Sequence, residues 1–265
     1  MAGGKMLLWM GLAARLAPLL LMTSALLVAT RFVHHRVRNE RLKIAAAIAV
    51  LAVGMFFIVP YAARMGLIVG IRYAVDDHDW AVTASRIEQY EFWRGHLDGS
   101  LLYARGLARA NEGHVAEALP DFAAAARTND PLISRTDAVF QTALCLYALH
   151  RDREARSVLL SLPDNLHSSG VRNYLLGRIA EKYGDPEAEA WFRRSLAVDP
   201  SFQPALYRLL RILSLRHDVN GAVAVVNAFR RTNPAEANAP YLTGMLEVIR
   251  HGEVLVDFDP FHVGV

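Results

Sequence analysis

Hydrophobic and polar positions follow two different patterns along this chain of 265 residues. Up to about residue 72 they run in blocks, and from Gly99 onward they alternate with helical spacing. The run Ile44 to Ala63 holds no charged residue. At ~1.5 Å per helical residue it reaches across roughly 30 Å of hydrocarbon, so the pattern predicts a transmembrane helix over 44–63. A second apolar stretch, Met6 to Thr30, is broken by Arg15 and Pro18. A span over 16–33 keeps Arg15 out of the bilayer and lets Arg31 reach the interface. A start at Met6 would place Arg15 in lipid at ~2.5 kcal/mol or more. A cleaved signal peptide is the alternative, but Leu27 and Ala29 make a poor cleavage site and the basic stretch that follows hinders export.

In the second pattern apolar positions recur three and four apart, in helices that come in pairs. A small residue in each first helix is followed by an alanine in each second helix: Gly106 with Ala118, Ala143 with Ala155, Gly177 with Ala188. A fourth unit has Leu210 and Ala222, and a half-unit follows with Gly244. The steps along the first series are 37, 34, 33 and 34 residues. That period belongs to helix-pair repeats, each too small to bury its own core, which gain stability by stacking. Small residues are needed where two helices touch.

The pattern resembles the tetratricopeptide repeat family. In the first unit the match runs through Gly106, Gly113, Ala118, Phe122, Ala125 and Pro131, and in the third through Leu176, Gly177, Ala188, Phe192 and Pro200. The second keeps Ala143, Ala155 and Leu159, and the fourth keeps Leu209, Ala222, Val226 and Pro234. The family's tryptophan early in the first helix is replaced by Leu102, Val139, Asn173 and Leu206. The resemblance covers about half of the chain. It implies a helical-repeat fold and, for function, protein or peptide binding on a scaffold put to many uses.

The whole chain is therefore expected to be all-α. Residues 1–72 form a membrane anchor of two helices joined by a basic loop. Residues 73–98 form a linker and a capping helix, since Asp76-Asp77-His78-Asp79 offers an N-cap for a helix from Trp80 to about Trp93, stopped by Gly95. Residues 99–250 form about four helix pairs, with Tyr241 to Arg250 as a closing helix. Residues 251–265 form a tail, extended along the last helix or in the groove.

Charge adds the orientation. Residues 1–72 carry nine basic residues against Glu40, a net +8, and the +3 of the whole chain leaves −5 on residues 73–265. The basic character thus belongs to the membrane flanks and gives no reason to expect a nucleic-acid surface. Five of the nine (Arg31, Arg36, Arg38, Arg41 and Lys43) lie between the two spans. The positive-inside bias places that loop in the cytoplasm and the repeats on the other side, in the periplasm of a Gram-negative cell. Only Lys5, Lys43 and Lys182 among 29 basic residues are lysine, a bias that points to a GC-rich bacterial genome.

Signatures of catalysis are missing: there is no Cys-x-x-Cys, His-Glu-x-x-His, Gly-x-Gly-x-x-Gly, phosphate loop or Gly-x-Ser-x-Gly. His34-His35 reads as part of a charged loop rather than a metal site, and Asp257 and Asp259 as solubilising charge rather than an acid–base pair. Cys145, the one cysteine, falls on an apolar helix stretch and reads as a small buried hydrophobe. No enzyme, cofactor or metal is expected.

Two constellations carry functional weight. Tyr103, Phe140, Tyr174, Tyr207 and Tyr241 sit at one site in successive first helices, about a turn before the small residue. First helices line the concave face of such a repeat array, so the rings would form a stripe suited to peptide capture. Packing between first helices is the other reading, and both stay open. Arg178, Glu181, Lys182, Arg208 and Arg211 add mainly basic character to the C-terminal half of the groove, which suits an acidic or carboxylate-ended peptide, with a plain solvated face as the other reading. Ala62, Gly66 and Gly70, four apart, permit close helix approach in lipid. Packing against the first span is the leading reading for them, with dimerisation or another membrane protein as the alternative. The functional expectation is a membrane-anchored adaptor that holds a protein or peptide partner beside the bilayer. The alternative is an accessory subunit of a membrane enzyme or transporter, acting through its membrane helices.

Overall fold

The apolar blocks become helices α1 (Leu21–Phe32) and α2 (Glu40–Asp76). The computed structural model describes residues 21–32, 35, 40–94, 96–164 and 168–256, and among these every regular element is helical. Residues 16–20 and 33 of the expected first span, and most of the basic loop, lie outside them. Among the described residues α2 alone is long and apolar enough to cross a membrane, and its apolar window is not buried by the rest of the chain. α1 touches it at Gly54, where an added β-carbon would stand 2.6 Å from Leu26.

α2 differs from the expected span of 44–63 in its end. It runs on past Pro60 and Arg64 to Asp76, so residues 73–76 are helix and not linker. The cause is a core to cover: Ile71 is buried together with Ile87, Tyr90, Leu101 and Ala104, and Leu67, Ile68, Val75 and Leu97 pack around them. Only a three-residue turn separates α2 from α3 (Trp80–Arg94), whose N-terminus is capped by Asp79 accepting from the Val82 amide at 3.1 Å.

The remaining helices are α4 (Gly99–Asn111), α5 (Val115–Ala125), α6 (Arg135–Ala148), α7 (Asp152–Ser161), α8 (Ser169–Lys182), α9 (Ala188–Val198), α10 (Gln203–Leu215), α11 (Val219–Thr232) and α12 (Pro240–Arg250). Each turn after a first helix holds one residue in the left-handed region: His78, Gly113, His150, Gly184, His217 and Gly252, with φ between 56° and 87°. Glycine takes that conformation without strain, and histidine is among the few other residues found there. The steps between these turns are 35, 37, 34, 33 and 35 residues.

Five residues after the turn residue, or four in the α8–α9 pair, whose turn is one residue shorter, Thr83, Ala118, Ala155, Ala188 and Ala222 occupy one buried position in the second helices. Ile87, Phe122, Leu159, Phe192 and Val226 occupy the next, all with 0 % exposure. The end of α2 and α3 therefore form a repeat pair, where the sequence suggested only a capping helix. Ile71 and Thr83 stand at its small-residue positions, which hid it. The same register corrects the last half-unit. Met245 and not Gly244 takes the small-residue site, and a β-carbon added to Gly244 meets nothing within 4 Å.

The chain divides into two compact units, residues 1–145 and 146–265. In the first, α3 packs on α2 and on α4, and α4 packs on α5. A β-carbon on Gly106 would stand 2.8 Å from the Phe122 ring, so glycine is what lets α4 and α5 close. Asp121, 4 % exposed, clasps the pair: Arg105 donates to it at 3.0 and 2.7 Å and Arg109 at 2.8 Å, while Arg105 also reaches Glu91 at 3.0 Å. In the second unit α7, α8, α9, α10, α11 and α12 pack in chain order. Gly177 repeats the role of Gly106, with Phe192 at 2.7 Å.

Candidate functional site

The residues expected to display an aromatic stripe are placed by their helices in three ways. Tyr174 is 1 % exposed, with its ring 5.9 Å from Phe192 and 5.4 Å from Phe202. It is a packing residue between α8, α9 and the start of α10, and it offers no face to a ligand. Phe140 is buried as well, at 9 %. Tyr103 leans on Phe122 at 5.5 Å, and burial with the nearby Asp137 carboxylate pushes its phenol pKa up. Tyr241 is exposed and donates to Glu236 at 2.5 Å, and burial of its hydroxyl together with that carboxylate raises its pKa. The equivalent site belongs to Leu242, fully buried. Two of the five rings, Phe140 and Tyr174, are thus buried in packing, Tyr103 is half-buried against its partner helix, and Tyr241 is exposed.

Tyr207 is the exception. It is half-buried on α10, and its hydroxyl donates to the Val256 carbonyl at 2.7 Å. One residue earlier, the Leu255 amide donates to Ser214 Oγ at 3.1 Å, and the Leu255 side chain is 7 % exposed. Tyr207 and Ser214 are seven apart and share a face of α10 with Arg211. Leu255 and Val256, the end of the described part of the tail, are therefore seated on this face. No sequence motif marked Ser214 for this role, and a serine inside an apolar helix was the one available signal.

The basic residues expected beside the stripe converge on one carboxylate. Glu181 on α8 lies 2.8 Å from Arg211, 3.5 Å from Arg208 and 3.8 Å from Arg178, and Arg178 also donates to the Tyr174 hydroxyl at 3.2 Å. Lys182 instead joins Asp152, which is 3 % exposed and accepts from Lys182 at 2.5 Å and from Tyr183 at 3.0 Å. That bond holds the Lys182 ammonium pKa above its ordinary value. Arg211 thus lies on the same face as the tail, whereas Lys182 ties α7 to α8.

In the first unit the small-residue series is divided among different roles. Arg86 of α3 donates to the Gly70 carbonyl, and a β-carbon on Gly70 would meet that side chain. Gly66 has open space around it, and Ala62 is exposed. Among the described residues α1 meets α2 at Gly54. A cavity of about 210 Å³ lies beside α2, lined by Tyr61, Arg64, Met65 and Ile68 with Tyr90, His96 and Asp98. Cys145 is fully buried, which pushes its thiol pKa up to about 11. His35 is exposed, while His34, Asp257 and Asp259 lie outside the described residues. No group of three or more residues able to hold a metal ion occurs among the described ones.

No protein-family model matches the sequence, and no curated protein matches it. Among solved structures the chain is similar to YrrB, described as a TPR protein with an unusual peptide-binding site. The identity is 18 % and the TM-score 0.49, over 63 % of this chain and 83 % of that one.

Proposed function

We propose that this protein is a membrane-anchored tetratricopeptide-like scaffold that takes an extended segment of a protein partner on the α10 face, on the extracytoplasmic side of the membrane. The observation that carries the reading is the seating of the tail. Backbone groups of Leu255 and Val256 are recognised by Ser214 and Tyr207, and the Leu255 side chain is buried there. Backbone recognition of this kind is indifferent to which chain supplies the segment. The tail's own sequence, Leu255-Val256 followed by Asp257 and Asp259, indicates the class of ligand: alternating apolar and acidic, matched to a face that carries Arg211.

Anchoring is supported by α2, whose apolar window is left uncovered while its last turns belong to the first repeat pair. One continuous helix then fixes the repeats at the bilayer surface without a flexible linker. The extracytoplasmic side follows from the basic loop between the spans.

A chain ending at Gly252 frees the α10 face, and a labelled peptide of residues 253–265 tests it. The peptide should bind the shortened chain and be excluded by the full one. Absence of binding to a folded shortened chain rejects the peptide reading. A phosphatase fused after Val265 should be active, and an inactive fusion on a membrane-inserted chain inverts the topology.

A further inference from the structure

The cavity beside α2 combines groups that the scaffold role does not use. Its floor is apolar, made by Met65 (7 % exposed), Ile68 and the buried ring of Tyr90. Its polar lining offers the Arg64 guanidinium, the Tyr61 phenol, His96 and the Asp98 carboxylate. The buried Nε of Arg64 has no hydrogen-bond partner among the described residues. The same holds for Nε of Arg172, Arg208, Arg211 and Arg230, of which Arg172, Arg208 and Arg211 reach carboxylates through their Nη atoms; what sets Arg64 apart is that it lines a cavity. A buried N–H left without an acceptor is unfavourable, and an anion entering the cavity supplies one.

Asp98 is held in place because Oδ1 accepts from the Leu101 amide at 3.1 Å and from Ser100 Oγ at 2.9 Å. A cavity lined by a fixed carboxylate and a guanidinium with one unmet N–H suits a ligand with both charges. The volume is below the ~300 Å³ at which drug-sized pockets begin, so it accommodates a headgroup and not a larger molecule.

Arg64 is also the first charged residue after the uncharged run that ends at Ala63. If that run spans the bilayer, Arg64 and Tyr61 stand at the depth of the lipid phosphates, where a tyrosine ring is favoured and an arginine head group reaches the phosphates.

We propose that this cavity binds the headgroup of an aminophospholipid, with the phosphate on Arg64 and the ammonium on Asp98. The proposal rests on the membrane-anchored reading. Its effect is to fix the height of the first repeat pair against the bilayer surface, since Arg64 and Ile68 belong to the helix that builds both.

The test reconstitutes the full chain in vesicles of phosphatidylethanolamine, phosphatidylglycerol or phosphatidylcholine, releases it into mild detergent and counts retained lipid by native mass spectrometry. One phosphatidylethanolamine should be retained, at least tenfold more often than either other lipid. Arg64→Gln should lower retention at least tenfold, and a thermal melt run alongside separates loss of the lipid from loss of the fold. Arg72→Gln should leave retention as it is. Asp98→Asn, which still caps α4, should keep the lipid but lose the preference for phosphatidylethanolamine over phosphatidylglycerol. Equal retention by the parent and Arg64→Gln chains overturns the proposal. Competition by soluble glycerophosphoethanolamine at the same affinity overturns the lipid source in favour of a free phosphate ester. A chain that resists carbonate extraction yet retains no lipid overturns this proposal alone, whereas a chain released by carbonate overturns the anchoring reading beneath it.

Discussion

Ile71, near the end of the long apolar helix, is buried in one cluster with Ile87 of the next helix. The pair joins two environments in a single element. Residues such as Ile48 on the same helix are 60 % exposed, while Ile71 is 2 % exposed. A segment that continued into solvent as a mere linker would have no reason to bury Ile71.

The first prediction separates the two parts of α2. Ile71→Ala removes a buried side chain from the first repeat pair and should cost ~2–5 kcal/mol. Ile48→Ala, outside any protein core, should change the melt of the detergent-solubilised chain by less than about 0.5 kcal/mol. Thermal melts of the two variants compare them directly, and equal effects would mean that the end of α2 is not part of the repeat core.

Helix closure at Gly177 gives the second. Alanine in place of glycine inside a helix ordinarily stabilises by ~0.5–1 kcal/mol. Here the new β-carbon would stand 2.7 Å from the Phe192 ring, so Gly177→Ala should destabilise by ~1–3 kcal/mol instead. Phe192→Leu supplies room, and the double variant should lose less than the sum of the two single losses. Additive losses in urea unfolding would place the contact elsewhere.

Cys145 supplies a pH dependence. Burial raises its thiol from 9.0 to about 11, so the folded chain holds this proton more tightly than the unfolded one. The corresponding stability is fully present below pH 9 and is lost as pH rises through 11. After allowance for solvent screening the loss is ~1–2 kcal/mol. Cys145→Ala lowers stability at every pH but should flatten the difference between pH 8.5 and pH 11. A parallel decline in both chains would assign the alkaline loss to other groups, such as Tyr103.

Much of this organisation is legible in the sequence, and the exceptions share a cause. The small residues that let helices close, Gly106 and Gly177, announce themselves because each excludes every larger side chain. The turns carry a second signal, a glycine or histidine at left-handed φ, and His78 extends the repeat to the end of α2 where no small residue does. The aromatic stripe stayed open between packing and ligand contact because spacing alone gives the face of a helix but not what covers that face. Tyr174 and Tyr207 occupy the same repeat site, yet one is sealed by Phe192 and Phe202 while the other meets the tail. Contacts made across long sequence separations, Tyr207 with Val256 or Arg211 with Glu181, leave no local pattern.

The last prediction concerns how firmly the tail is held. Tyr207→Phe removes the hydrogen bond to the Val256 carbonyl and keeps the ring. A neutral hydrogen bond of this kind contributes ~0.5–1.5 kcal/mol, so release of the tail should become roughly two- to tenfold more frequent. The Leu255 amide, which donates to Ser214, should lose exchange protection by that factor, while amides in α8 and α9 keep theirs. If a partner segment competes for the same face, its apparent affinity should rise, because the fraction of chains with an open face has grown. The rise is partly offset if the partner also uses the Tyr207 hydroxyl, so Leu255→Ala serves as the companion variant. It loosens the tail through its own side chain and leaves the α10 face intact. Greater tail exposure in Leu255→Ala without tighter capture of the labelled 253–265 peptide would show that the tail and the partner do not share a site.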